Sequence, residues 1–135
     1  MGLAEKRAVE EIKQKMTSEW EKAILSSAGL SIPIEVKYDT FMVDGTAGYA
    51  VQSFEKIFVT PTINAFKTIA ADDLGKQALA GALKKIVIKN EAGLTSSTAY
   101  CTMDSGTLTL DHRFANVDQI ADRQKGLTAL LERSL

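Results

Sequence analysis

With 135 residues, 45% of them hydrophobic and 24% charged, the chain is sized for a single domain (1–135) with a modest core, and its composition is globular rather than disordered. Sixteen basic and seventeen acidic side chains leave a formal charge of -1 with no basic segment, which argues against a nucleic-acid partner held through its phosphates. No apolar run reaches the length of a bilayer crossing or a signal peptide, and Cys101 is the lone cysteine, so the expectation is a cytoplasmic protein with no membrane partner.

Residues 4 to about 28 predict a helix. Val9, Ile12, Met16, Trp20 and Ile24 recur at steps of three or four with charged residues between them, and Gly29 can supply the left-handed stop. In "LSIPIEVKYDTF" Ile32, Ile34, Val36 and Tyr38 alternate with polar residues, the period of a half-buried strand; Pro33 assigns it a strand start or an edge. "VDGTAGY" reads as a loop. From Gln52 to Lys85 the pattern is helical, with Thr60-Pro61 as a helix start. A second helix, capped by Asp72 or Asp73, has Leu74, Ala78, Leu79, Ala82 and Leu83 turned inward.

"KIVIKN", "TAYCTM" and "TLTLDH" predict three further strands, the last two joined by a tight turn at "DSG". A turn centred on Asp104-Ser105 sets Leu108 opposite Cys101. Asn116 then caps a final helix whose buried set is Val117, Ile120, Leu127, Leu130 and Leu131. The order α-β-α(α)-β-β-β-α, with the last three strands as a meander, predicts a two-layer α+β domain: a mostly antiparallel four-stranded sheet with helices packed on one face.

Chemical signatures are sparse. His112 is the single histidine, and Asp111 precedes it on a strand, where neighbours point to opposite faces. One histidine and one distant cysteine make no zinc site, and the aspartates fall where turns favour them, so no metal is expected. "VDGTAGYA" lacks both the dinucleotide and the phosphate-loop glycine patterns, so no cofactor is expected either. The candidate catalytic residues are Tyr38, Asp39 and His112, with Asp39 as a base and Tyr38 as an orienting hydroxyl; Phe41 and Tyr49 are candidate pocket or partner contacts.

The one-sided helices and the absence of paired site chemistry favour a non-enzymatic interaction or accessory domain. It would bind another protein, or itself as a homodimer, through an apolar helix or sheet surface. The alternative is a small enzyme or ligand binder with a cleft near residues 38–49.

Overall fold

The computed structural model describes residues 2–135. Helix α1 covers residues 3–28. It begins as the α-helix Leu3–Lys15, widens into a π-helical turn at Met16–Trp20, and resumes at Glu21–Ala28. Gly29 ends it at φ 67°, as anticipated. Helix α2 covers residues 50–69 in the same manner, with its π-turn at Glu55–Val59 between Ala50–Phe54 and Thr60–Ile69. Helices α3 (Asp73–Ala82) and α4 (Ile120–Ser134) are regular.

The π-turns follow from the spacing of apolar residues. In α1, Met16, Trp20, Ile24 and Ala28 are all buried. A step of four overshoots an α-helical turn by about 40°, so three such steps would carry the stripe about a third of the way round the helix. One wide turn takes up the extra residue and returns the stripe to the core. In α2, Phe54, Phe58, Thr62 and Phe66 repeat the pattern and are all buried. There the wide turn also accommodates Pro61: the Thr60 N–H reaches back five residues to the Glu55 carbonyl just before the ring enters. Thr60-Pro61, expected to begin a helix, thus lies within one.

Strands β1 (Ile34–Val36), β2 (Lys85–Lys89), β3 (Cys101–Asp104) and β4 (Thr107–Asp111) form, among the described residues, one sheet in the order β1-β2-β4-β3. The expected mostly antiparallel sheet is corrected: β2 runs parallel to both β1 and β4, and only β3–β4 is antiparallel. The segment 90–100 is the physical reason. It leaves the end of β2 and crosses to where β3 starts beside the end of β4, leaving a strand-wide gap that the returning hairpin arm fills. Backbone bonds hold it there, from the His112 N–H to the Lys89 carbonyl and from the Arg113 N–H to the Leu94 carbonyl.

The hairpin register also differs from expectation. The turn is Ser105-Gly106, with φ of 51° and 84°, so Cys101 faces Leu110 rather than Leu108. Strand β1 is shorter than its alternating sequence, and Tyr38–Phe41 is a 3-10 turn.

The two-layer α+β arrangement itself stands. Ile86, Ile88, Leu108 and Leu110 are buried against the helices, whereas Glu35, Thr102 and Asp104 are exposed, and Glu35 pairs with Lys85 at 2.8 Å. Beneath the helices Phe41 packs edge-on to Phe54 and Phe58 and stacks on Phe114, while Trp20 stacks on Phe54 at 5.6 Å.

Candidate functional site

Three places combine chemistry with shape. The first is the end of β4, where Asp111 and His112 part as strand geometry requires. The Asp111 carboxylate accepts from the Glu91 and Ala92 N–H groups at 3.0 and 3.1 Å, so it staples the 90–100 segment to the sheet. His112 turns the other way and is wholly buried, its ring edge-on to Tyr100 at 5.5 Å and to Phe58 at 6.4 Å.

The His112 Nδ1–H donates to the Arg113 carbonyl, which fixes the neutral ring with its lone pair on Nε2. Burial holds this imidazole below its ordinary pKa, and the Arg123 and Arg113 charges push it the same way. Arg123 is also fully buried; its Nη1 and Nη2 donate to the Asn116 and Val117 carbonyls, each at 2.8 Å. Those bonds shape the turn before α4, which starts at Ile120 after Gln119, so the expected Asn116 cap is corrected. Asn116 has φ 54° and belongs to that turn.

His112 Nε2, Arg123 Nε, Tyr100 Oη and Thr62 Oγ1 are buried without hydrogen-bond partners among the described residues. Burial raises the Tyr100 hydroxyl pKa, with the Arg123 charge opposing it. Gly126 lets α4 cross close by: a Cβ there would lie 2.3 Å from the Ser97 carbonyl oxygen. Cys101 is separate chemistry, its thiol donating to the Thr98 carbonyl at 3.6 Å and pushed up by burial to about 11, so it is a protonated core residue at neutral pH.

The second place is a cleft of about 360 Å³ beside the 38–49 region, where Tyr49, Asp44, Asn90, Arg113 and Phe114 meet. Tyr49 is 46% exposed. Tyr38, Asp39 and His112 do not line this cleft. Tyr38 is half-buried with the Lys13 ammonium 5.9 Å from its ring centre, and burial raises its hydroxyl pKa, helped by Glu21 and Glu10. Asp39 is exposed, its carbonyl closing the 3-10 turn at Met42. Phe41 is interior. The three candidate catalytic groups therefore occupy different surroundings, and of the two aromatic candidates Tyr49 reaches the cleft.

The third place is apolar. Leu74, expected inward, is 78% exposed. The Asp72 carboxylate caps α3 by accepting from the Gly75 N–H at 2.8 Å, and Leu79 and Leu83 are the residues buried. Leu74 lies five residues before Leu79, about 140° round the helix and on the outer side. Gly75 allows α3 to sit tightly on the end of α2, since a Cβ there would lie 1.7 Å from the Ile69 carbonyl oxygen. A groove of about 450 Å³ opens beside Leu74, walled by Ile69, Ala78 and Leu135, with Leu135 itself 38% exposed.

Sequence reasoning passed over Arg123 and misassigned Leu74. The signal for Arg123 was present: Ile120, Arg123, Leu127 and Leu130 follow helical spacing, which places the arginine on the buried stripe. Among the described residues no group of three or more His, Cys, Asp or Glu side chains could hold a metal ion, and no helix is long and apolar enough to cross a membrane. No family model, no curated protein and no solved structure matches the chain.

Proposed function

We propose that this compact domain is a non-catalytic interaction or accessory module that docks another polypeptide on the outer face of α3 and the groove beside it. The observation that carries the reading is Leu74, a leucine 78% exposed beside Ile69, Ala78 and Leu135. Covering such a side chain contributes about 2 kcal/mol from removal of apolar surface alone. Contiguous apolar surface with a polar rim, here Asp72 and Glu132, is what a docking site requires. A cytoplasmic setting belongs to the same proposal.

Native mass spectrometry of protein isolated gently from its own host tests it, with wild type compared to Leu74→Lys. A stoichiometric polypeptide partner present in the first and lost in the second is the expected result. A partner retained by the variant would remove α3 from the interface.

A second reading rests on the cleft beside residues 38–49, where Arg113 and Tyr49 suit a small anionic ligand with a flat group. It predicts a bound small molecule in the same spectrum that Arg113→Ala loses and Leu74→Lys keeps.

A further inference from the structure

Resting on the interaction reading above, we propose that the polypeptide docked on α3 is a second copy of this chain, with the two α3 helices antiparallel about a twofold axis beside Gln77 and Ala78. Leu74, Gln77, Ala78 and Gly81 fall at i, i+3, i+4 and i+7, one stripe directed away from the buried Leu79 and Leu83. The stripe carries a projecting side chain and a position with none. Leu74 stands out at its start, and at Gly81 an added Cβ would meet nothing within 4 Å. A twofold axis midway between them sets Leu74 of each copy over Gly81 of the other.

The charges obey the same symmetry. Asp73 opens α3 on the side that Ala80 shares seven residues on. Lys84 lies two residues past the helix end but donates its ammonium to the Ala80 carbonyl at 3.3 Å, so the two exposed charges lie on one flank of the stripe at opposite ends of α3. A twofold axis perpendicular to two antiparallel helices keeps each flank on its own side, so Asp73 of one copy comes beside Lys84 of the other, twice. Antiparallel alignment also opposes the two helix dipoles. A parallel pair, with its twofold along the helix axes, would send the two flanks to opposite sides and leave both Asp73 and Lys84 without a counter-charge. On the other flank the groove at Ile69, Ala78 and Leu135 extends the apolar contact. This self-complementarity of both shape and charge selects a second copy over an unrelated helix.

A ten-residue helix is about 15 Å long. The resulting contact falls below the roughly 1,200 Å² of a stable interface, so the association is reversible and concentration-dependent.

Sedimentation equilibrium of the full chain, from micromolar to millimolar, is the test. The expected result is a monomer–dimer equilibrium, weakened at least about tenfold by Leu74→Lys. Asp73→Lys weakens it as well, and the double exchange Asp73→Lys with Lys84→Asp restores it to near wild type. Gln77→Cys, beside the axis, oxidises to a covalent dimer, whereas Lys76→Cys, off the stripe, does not; Cys101 is buried and does not compete.

A chain monomeric at every concentration overturns the proposal, as does a dimer indifferent to Leu74→Lys, or a double exchange no better than the single one. If the isolated chain is monomeric but Leu74→Lys removes a different protein from the native spectrum, the second-copy proposal fails and the interaction reading stands. If Leu74→Lys changes neither association, both fail.

Discussion

The turn into α4 and the outer face of α3 break the same rule in opposite directions. Around Arg123 a guanidinium, an imidazole and a phenol are enclosed together. On α3 a leucine stands in water. The first arrangement is compensated in part within the chain: two guanidinium nitrogens meet the Asn116 and Val117 carbonyls, while Arg123 Nε, His112 Nε2 and Tyr100 Oη have no partner among the described residues. The second has no cover within the described residues. The enclosed guanidinium, through its two carbonyl partners, serves the fold, and the uncovered leucine contributes little to it.

Substitutions can sharpen or break this contrast. The largest effect is expected at Arg123: Arg123→Met keeps the bulk but abandons the Asn116 and Val117 carbonyls, for a loss of about 3 kcal/mol in urea denaturation. A near-neutral result would mean that water replaces the guanidinium and that the enclosure is looser than described. Next comes Asp111→Ala, which frees the Glu91 and Ala92 N–H groups; a loss of about 2 kcal/mol is expected, with faster amide exchange confined to the 90–100 segment.

The His112 effect is smaller and depends on pH. Its folded pKa lies below the unfolded value of 6.5. Below pH 6.5 the unfolded chain therefore takes up a proton that the native ring refuses, and native stability falls as the pH drops towards the folded pKa. The decline is at most about 1.4 kcal/mol per pH unit. Urea titrations at pH 7.5, 6 and 5 should show it in wild type and lose it in His112→Asn; a slope that survives in the variant assigns it elsewhere. The smallest stability effect belongs to Leu74→Lys, within about 0.5 kcal/mol for the monomer, since the side chain contributes little to the core. A large loss there would show that Leu74 serves the fold after all, and the contrast would collapse.

Much of the layer arrangement could be read from the chain, because amphipathic period separates helices from strands and, outside α3, shows which face is buried. Strand order could not be read from adjacency. The assumption that consecutive strands pair fails at 90–100, where the chain leaves a place for a strand that comes later. Composition held a clue: β2 and β4 carry Ile86, Ile88, Leu108 and Leu110, the marks of central strands, while β3 offers polar Thr102 and Asp104 at an edge.

The candidate site was less legible. His112 was visible as the lone histidine, but its enclosure depends on Tyr100 and Phe58, which reach it from other elements. Leu74 was misplaced because an alanine-rich helix offers two apolar faces, and the close seat of Gly75 on the Ile69 carbonyl fixes which one turns inward. Tyr38, Asp39 and His112 were candidates by residue type, which carries no information on convergence; the 3-10 turn at Tyr38–Phe41 leaves Asp39 exposed, while His112 is buried.

The wide turns in α1 and α2 carry a consequence for chain length. Each long helix holds one residue more than a regular helix needs to keep its two halves in phase. Removing a single residue within 16–20 would let α1 close into uninterrupted α-helix with Val9 and Ile24 still facing inward. The same deletion in 3–15 would rotate the preceding residues about 100° away from the core. Tolerance to a lost residue is thus concentrated in one short window of α1, while its flanks are held to a fixed count; in α2 the wide turn also makes room for Pro61 and its extra residue cannot be spared.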